Sequence, residues 1–406
     1  MSEASATRTG CPVLRFDHRA IQSGERFRVW DELRALGPIF WSDQYGGFWV
    51  VGGFEEVSAV LRDDATFSSA KNPDGTGGQS IPPFIWQRNV PGEYDGEEHV
   101  RLRSVLLPPL SPKLIEGRRP MVAALVSEIF DRLEGRTTVD ATREIAVPVP
   151  AHSMFTFMGL PRSDAEAIGL TVHEIMGARE GTARAAELAP ALEAIKQRML
   201  DEVAERRARP TGDIISLYAN LTDENRKLGP DELLSVLVTG MLFGGLVTAA
   251  ETLANGMVYL ARHPDMRARL AAEPELIPNF VQDLVRWVTP ASSVARTVTK
   301  TTVLGGQTLK PGERILCLLG SANHDPKAFE APHLVNPGAW RNRHVGFGLG
   351  AHFCPGAPLA RLEIEMALRE LLRRAPAYTI DDLDQAAIGL ADPAGGWRPL
   401  VLRPKG

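Results

Sequence analysis

The longest apolar stretch of the sequence covers residues 233–250, where 18 consecutive positions carry no charged side chain. The letters PDE precede it, as is typical of the acidic first turn of a helix with proline near its first position. An amphipathic continuation, ETLANGMVYLARHPD, ends this pattern at Pro264. One helix of roughly 31 residues, about 46 Å long, is therefore predicted. Its glycines and hydroxyl side chains favour the buried axis of a large helical domain over a membrane span.

Shorter periodic patterns predict the other elements. PIFWSDQYGGFWVVGG (38–53) indicates two short strands around a Gly-Gly turn, and TKTTVLGGQTLKPGERILCLLG (299–320) a second hairpin region. The predicted class is mainly α with a minor antiparallel β region, in one domain spanning residues 1–406 whose β-rich parts lie at about 38–53 and 297–320. Amphipathic helices are predicted over 26–36, 54–62, 99–107, 113–133, 191–208 and 358–374.

Proline and glycine mark two further segments of the sequence. Pro190 suits the first position of the helix predicted over 191–208. The stretch 69–92 contains many Gly, Pro and aromatic residues with little periodicity, so we predict a mobile loop over a pocket there.

Composition narrows the class. The chain has 45 basic and 50 acidic residues, a net charge of −5, which argues against a broad nucleic-acid surface. The N-terminus has no basic region followed by an apolar core, so we expect a cytoplasmic protein without a membrane anchor. The three cysteines include no C-x-x-C pair, which argues against a disulfide framework or an ordinary four-ligand zinc site.

The stretch FGLGAHFCPGAPLARLEIE (347–365) carries the strongest chemical signal. Its glycines at 348, 350 and 356 let the backbone bend and approach another group closely. Cys354 comes just before a predicted helix, where backbone N–H groups stabilise a thiolate. Phe347 precedes the cysteine by seven positions. Together these residues suit a thiolate bound to a flat cofactor, with the aromatic ring beside the sulfur.

The pattern F-G-x-G-x-H-x-C-x-G resembles the haem-binding loop of the cytochrome P450 family, soluble bacterial class. The resemblance implies the fold of that family, with the long helix over haem b (iron protoporphyrin IX). It also implies that Cys354 is the proximal thiolate ligand of the iron, that Phe347 and Gly356 line the cofactor, and that His352 binds a haem propionate.

Other segments extend the resemblance. HVRLR places His99 and Arg103 four residues apart, on one helix face, where the family binds a haem propionate. Arg296 corresponds to a further propionate partner. The segment SANHDPKAFEAP resembles the one that leads into the haem loop.

The family's oxygen-binding helix has the pattern [A/G]-G-x-[D/E]-T, and two registers of this sequence compete for it. One places Thr248 on the threonine and Gly244 near the oxygen, with a kink at Gly244-Gly245; the other places Glu251 and the following threonine on the acid-threonine pair. Spacing to the segment DLVRW favours the first register. Val247 then stands where the family has an acid, and Glu251 lies one turn further on.

Two further departures concern structure and cofactor electronics. The family's buried E-x-x-R pair is Asp283-x-x-Arg286 here, and its arginine partner is missing near Ala339, so that Arg341 or Arg343 is the candidate substitute. Pro355 follows the cysteine and offers no N–H to its sulfur.

The resemblance implies a monooxygenase that inserts one oxygen atom from O2 into a small hydrophobic substrate, a terpenoid or small aromatic ether. Electrons would come from NAD(P)H through a ferredoxin and its reductase, with Arg341, Arg343 and Arg361 as docking candidates; neither nucleic acid nor membrane is an expected partner. Thr248 and Glu251 are the expected catalytic residues. The missing acid leaves open a non-monooxygenase haem-thiolate enzyme, peroxide-driven or nitric-oxide-reductase-like, and a haem sensor is a third class. The substrate-pocket candidates are Phe84, Trp86, Phe243, Val247, Val294 and Trp397.

Overall fold

The computed structural model describes residues 11–21, 23–83, 88–178, 181–223, 227–338, 344–383 and 400–404. The chain divides into two compact units. Unit 1 contains Met1–Val100 and Val285–Cys354, and unit 2 contains Arg101–Leu284 and Pro355–Gly406.

Helices dominate the described residues. They are α1 Arg26–Ala35, α2 Phe54–Arg62, α3 Gly96–Leu106, α4 Pro112–Glu116, α5 Arg119–Asp131, α6 Pro148–Met158, α7 Ala165–Gly177, α8 Ala183–Ala208, α9 Ile214–Ala219, α10 Pro230–Ser235, α11 Gly244–Arg262, α12 Pro264–Ala272, α13 Ile277–Val288, α14 Leu319–Asn323 and α15 Ala357–Arg374.

The strands are short. They are β1 Val13–Leu14, β2 Ile39–Ser42, β3 Phe48–Val51, β4 Phe67–Ser68, β5 Val139–Asp140, β6 Val294–Val298, β7 Thr302–Leu304, β8 Gln307–Leu309, β9 Arg314–Cys317, β10 Thr379–Ile380 and β11 Val401–Arg403. The mainly helical class with a small sheet region is confirmed.

Unit 1 is built on a six-stranded sheet in the order β1-β2-β3-β9-β6-β4. The predicted strands around the Gly-Gly turn are β2 and β3, which pair antiparallel. Gly47 has φ +97°, and a Cβ there would lie 2.3 Å from the Trp41 ring, so the turn needs glycine for two reasons. The expected antiparallel character is incomplete, because β3 pairs parallel with β9 and β1 pairs parallel with β2.

The second predicted hairpin region divides between two sheets. Strands β7 and β8 form the hairpin around a Gly-Gly turn, as predicted. Strand β9 instead pairs with β6, which begins upstream of the predicted region at Val294. This pairing places Arg296 opposite Ile315, within a core of buried apolar side chains from β2, β3, β9 and α2.

Unit 2 is a helical body in which α11 packs against α6, α7 and α15. Close approach is built in at Gly256, where a Cβ would lie 2.8 Å from the Leu284 side chain. The Tyr378 hydroxyl donates to the carbonyl of Met257 at 2.7 Å, which satisfies a buried polar group at this interface. Unit 2 also holds a small three-stranded sheet in the order β10-β11-β5.

The long apolar stretch forms one continuous helix, Pro230–Arg262, of 33 residues. It is long and apolar enough to cross a membrane, yet 61% of its most apolar window is buried inside the protein. Its expected kink at Gly244-Gly245 stays a prediction. Gly244 has ordinary right-handed helical angles, and the irregularity is a π-helical segment, Val236–Phe243, which ends just before it. The Gly244 N–H closes this wider turn on the carbonyl of Thr239.

Two predicted helix boundaries differ from the structure. Pro190 lies inside α8, not at its start, because the Thr182 side chain accepts a hydrogen bond from the Ala185 N–H and caps the helix earlier. The helix predicted over 113–133 is two helices, α4 and α5, which are separated at Gly117. The remaining predicted helices are confirmed within a few residues. The single catalytic domain stays a prediction.

Candidate functional site

The cysteine loop of unit 1 is held in shape by glycines and by its own backbone. Gly348 and Gly350 have φ +71° and +67°, which only glycine adopts readily. A Cβ at Gly350 would also lie 2.7 Å from the carbonyl oxygen of Leu61. The Cys354 N–H donates to the Phe347 carbonyl at 2.8 Å, so the aromatic residue and the cysteine close the loop at its two ends.

A buried amide anchors the start of this loop. The side-chain oxygen of Asn323, on α14, accepts the Val345 N–H at 2.8 Å. The Asn323 side-chain amide donates to the Thr289 hydroxyl at 2.7 Å. The segment SANHD therefore supports the loop that follows it, as its resemblance suggests.

Cys354 differs from the other cysteines in its exposure. Cys11 and Cys317 are fully buried, whereas Cys354 is half-buried. Burial raises the pKa of the Cys317 thiol to about 12, although the nearby Arg296 charge opposes this rise. Gly356 occupies the N-cap position of α15, so the predicted helix after the cysteine is confirmed. Phe347 is half-buried, with its ring centroid 6.3 Å from that of Phe353.

Two histidines from distant parts of the sequence meet in unit 1. The rings of His99, on α3, and His352, in the cysteine loop, have centroids 4.2 Å apart. Nε2 of His352 lies 3.4 Å from Oδ1 of Asp95. Nδ1 of His352 is buried and makes no hydrogen bond within the described residues. Arg103 lies one turn beyond His99 on α3 and is half-buried.

Asp95 is a residue that the sequence analysis missed. Burial raises its pKa, but the nearby His352 ring and hydrogen bonds from the Ser68 hydroxyl and from the N–H groups of Ser69 and Ala70 outweigh burial and lower the pKa to about 2. The carboxylate therefore stays ionised at neutral pH and orients the His352 ring. The available signal was an acid four residues before His99, at the start of the same helix.

We expect Asp95→Asn to lower the free energy of unfolding by about 1–3 kcal/mol, because an amide cannot accept all the N–H and O–H donors that the carboxylate now satisfies. Chemical denaturation at neutral pH measures this loss. The exposed Glu97→Gln, two residues away, removes the same charge and should stay within about 0.5 kcal/mol of the wild type. Equal stability of both variants would show that Asp95 is an ordinary surface acid.

Arg296 is fully buried on β6. Its Nη1 donates to the carbonyl of Ala295 at 2.8 Å. Burial lowers its pKa, whereas Cys317, Asp95 and Asp64 act to raise it. Within the described residues Arg296 makes no ion pair. A buried guanidinium is costly without a nearby anion.

The predicted oxygen-side residues lie on α11 of unit 2. The Thr248 hydroxyl donates to the Gly244 carbonyl at 2.9 Å, directly after the π-helical segment. Thr252, the threonine of the competing register, is buried and donates to the Thr248 carbonyl at 2.8 Å. Glu251 is half-buried, and its backbone carbonyl accepts from the Asn255 side chain at 2.8 Å. Thr248 is thus the more accessible of the two hydroxyls.

The remaining candidates are distributed over the chain. Phe243 is buried at the end of the π-helical segment, Val247 is half-buried one turn later, and Val294 is half-buried at the start of β6. Arg361 is half-buried on α15. Five residues lie outside the described part of the chain: Phe84, Trp86, Arg341, Arg343 and Trp397.

Arg286 is buried in unit 1, where backbone carbonyls accept hydrogen bonds from its guanidinium. It donates to the carbonyls of Asn323, Pro332 and Leu334 at 3.0, 2.8 and 2.6 Å. Its guanidinium also lies 5.2 Å from the centroid of the Phe329 ring. Asp283, three residues earlier, is buried.

Glu363, on α15, is a second residue that the sequence analysis missed. The side chain is fully buried, and burial raises its pKa to about 8, although the nearby Ser153 opposes this rise. The carboxyl is therefore protonated at neutral pH. Its only sequence signal is an acid on the apolar side of an amphipathic helix, where Glu365 is also buried but pairs with Arg119 at 2.9 Å.

Comparison with known proteins identifies the family. A family model described as Cytochrome P450 matches residues 180–377. The polyketide biosynthesis cytochrome P450 PksS of Bacillus subtilis is 32% identical over 371 residues, 89% of this chain and 89% of that protein. The 6-deoxyerythronolide B hydroxylase of Saccharopolyspora erythraea is 28% identical over 365 residues, 87% of this chain and 89% of that protein.

Comparison with solved structures leads to the same family. A crystal structure of CYP109E1 from Bacillus megaterium in complex with testosterone matches with a TM-score of 0.80 and 25% identity, over 95% of this chain and 99% of that one. The chain belongs to the cytochrome P450 family. It is an oxidoreductase of the monooxygenase type, from a family whose cofactor is haem iron.

The residues of unit 1 fit this cofactor. Arg296 is a buried cation without an ion pair in the described part of the chain, and Nδ1 of His352 is buried there without an acceptor. Both suit the carboxylates that a haem carries at its edge. Cys354 is half-buried, whereas the other two cysteines are buried, and it lies in a loop whose glycines let the backbone approach another group closely.

Proposed function

We propose that this protein is a cytoplasmic haem-thiolate monooxygenase that inserts one oxygen atom from O2 into a small hydrophobic substrate, a terpenoid or a small aromatic ether. Electrons reach it from NAD(P)H through a ferredoxin and its reductase. The observation that carries this proposal is the Cys354 loop, which combines two left-handed glycines, a half-buried cysteine and a following helix.

The cofactor in this proposal is haem b. Cys354 ligates the iron, Arg296, His352, His99 and Arg103 bind the propionates, and the remaining cofactor contacts come from Phe347, Gly356 and Gly244. The bound haem supplies the oxidising chemistry. The buried Arg296 and the ionised Asp95, which orients His352, support the assignment of the propionate side.

Thr248 and Glu251 handle protons in this proposal. The Thr248 hydroxyl uses its own hydrogen for the Gly244 carbonyl, so its oxygen is left to accept a hydrogen bond. Val247 has no proton to give, and Glu251 is the next carboxyl along α11, one turn away. Glu251 therefore replaces the acid that the family places before the threonine, with water as the connection.

Val247, which stands where the family has an acid, also supports a second candidate function. If no carboxyl replaces the missing acid, the protein is a haem-thiolate enzyme driven by peroxide, or one like a nitric-oxide reductase. The two candidates differ in whether Glu251 is needed.

The expected result is that wild-type enzyme turns over with NADH, ferredoxin, ferredoxin reductase and O2, and that Glu251→Gln lowers product formed per NADH by at least about tenfold. Turnover driven by added peroxide should stay within about twofold, since peroxide brings its own protons. Product and NADH are quantified side by side, with the exposed Glu275→Gln as control. Unchanged yield per NADH in Glu251→Gln would remove Glu251 from the mechanism. Turnover with peroxide alone would favour the second candidate.

The substrate class needs its own test. The pocket candidates Phe243, Val247 and Val294 are apolar, which supports a hydrophobic substrate. A spectral binding screen compares monoterpenoids with methoxyarenes. It also includes testosterone, because one structurally similar protein was crystallised with that steroid. Binding of steroids in preference to both smaller classes would contradict the proposed substrate size.

A further inference from the structure

Between β4 and α3 of unit 1 lies the segment for which the sequence predicts a mobile loop over a pocket, and this mobility stays a prediction. Its described parts, 69–83 and 88–94, are joined by a buried carboxylate. Oε1 of Glu93 accepts the Gln79 N–H at 3.0 Å, and Oε2 accepts the Asn89 N–H at 2.9 Å. The side-chain amide of Asn89 also donates to Oε1 of Gln79 at 3.3 Å. We call these three residues the Glu93 clasp.

The glycines of this segment serve the clasp. Gly78 has φ +75°, and a Cβ there would lie 2.4 Å from Oε1 of Glu93. A Cβ at Gly92 would lie 2.9 Å from both Nδ2 of Asn89 and Oε1 of Gln79. Glycine at these positions therefore lets the chain approach the carboxylate closely. In the described part of the segment, Gly78 and Gly92 therefore permit tight packing around one acid.

A second set of bonds attaches the clasp to the sheet. The Gln79 carbonyl accepts the Ala295 N–H at 2.8 Å, on β6. Nη2 of Arg314, on β9, donates to the carbonyls of Gly78 and Ser80 at 2.8 and 2.9 Å. Gln79 is thus bound on one side by Glu93 and on the other by the strand on which Val294 and Arg296 flank Ala295.

We propose that Glu93 is a specificity-determining positioning residue. It holds the two flanks of the 79–89 segment together and, through Gln79, sets their place against the strand that carries the pocket candidate Val294. This inference rests on the proposed function, because Val294 and Arg296 line a substrate and cofactor site only in a haem enzyme. Glu93 itself touches neither group and acts through the backbone of Gln79 and Asn89.

The amide variant Glu93→Gln tests the clasp with little change in size. Both partners of the carboxylate are N–H donors, and an amide offers them one acceptor oxygen and one NH2 group. One bond is therefore lost, and two donors face each other. Gln79→Ala is the matched control, since it keeps the backbone N–H and carbonyl that the clasp uses. Glu97→Gln controls for the charge.

Azoles that bind haem iron directly serve as probes, so no natural substrate is needed. Dissociation constants for imidazole and the bulkier 4-phenylimidazole are measured by absorbance titration. We expect Glu93→Gln to change the ratio of the two constants by about fivefold or more, the effect of roughly one hydrogen bond, with imidazole itself within about twofold. Gln79→Ala and Glu97→Gln should keep the wild-type ratio. Amide exchange at Gln79 and Asn89 should become faster in Glu93→Gln, with or without haem.

A wild-type ratio in Glu93→Gln would overturn the inference, and so would an equal change in Gln79→Ala. Glu93→Asp is the second variant in case Glu93→Gln does not fold: its carboxylate is one methylene shorter, so it cannot reach both N–H groups and should shift the ratio in the same direction. An unchanged ratio in Glu93→Asp, with faster exchange at Gln79 and Asn89, would likewise overturn it. The proposed function fails separately, if the wild-type protein shows no thiolate-ligated haem in its reduced carbon monoxide spectrum.

Discussion

Replacing Cys354 by serine is expected to abolish the red-shifted absorption band that the reduced carbon monoxide complex of a thiolate-ligated haem shows, together with at least about 99% of oxygen-dependent turnover. A serine hydroxyl does not ionise near neutral pH and is a poor ligand for haem iron, whereas the proximal thiolate drives O–O cleavage. Absorbance spectroscopy of the reduced protein under carbon monoxide measures the loss, and the same samples are assayed for turnover.

Cys11→Ser provides the matched control. Cys11 is buried, and its sulfur lies 3.6 Å from the carbonyl oxygens of Pro12 and Ile39, so a serine hydroxyl would find acceptors there. This variant should keep the band at wild-type intensity. A retained band in Cys354→Ser would disprove thiolate ligation by Cys354. Loss of the band in Cys11→Ser alone would contradict the same prediction.

Glu363→Gln should make the protein more stable relative to wild type as the pH rises from about 5 to 8. The folded carboxyl has its pKa raised to about 8 by burial, against 4.5 as the reference value. Between these values the folded state holds a proton that the unfolded state has released, so the free energy of unfolding of the wild type falls with rising pH and levels off above about 8. Glutamine cannot ionise and removes this slope, a difference of at most roughly 5 kcal/mol.

Chemical denaturation at pH 5, 6.5 and 8 measures the prediction. The exposed Glu134→Gln of the same unit should follow the wild-type slope. If wild type and Glu363→Gln lost stability in parallel over this range, Glu363 would be ionised in the folded protein, and burial would not control its pKa.

The local sequence predicted much of the Cys354 loop. Gly348 and Gly350 have the left-handed angles that their spacing suggests, and α15 begins just after Cys354. Such features depend on steric limits and hydrogen bonds within a few residues, so one stretch of sequence contains all the interacting groups. The comparison with known proteins confirmed the cytochrome P450 family that this loop indicated.

The long helix shows which features a local sequence pattern predicts and which it does not. Its existence, its start at Pro230 and its burial follow from an uncharged stretch with an acidic first turn. Its irregularity does not, since the two glycines predicted a kink and the structure has the wider π-helical turn just before them. A helix with the same sequence can relieve strain at several neighbouring turns, and packing of α6, α7 and α15 around α11 selects one of them.

The sequence by itself determined the family of the protein, and it predicted the helix that follows Cys354 and the glycine turns that precede it. Tertiary structure alone decided that Asp95 meets His352, that Glu93 joins Gln79 to Asn89, and that Glu363 is buried with its proton. The residue type alone does not tell whether acidic side chains are exposed on the surface or buried in the core. Their charge state and partners depend on burial and on residues brought together from distant parts of the chain, which no local pattern contains.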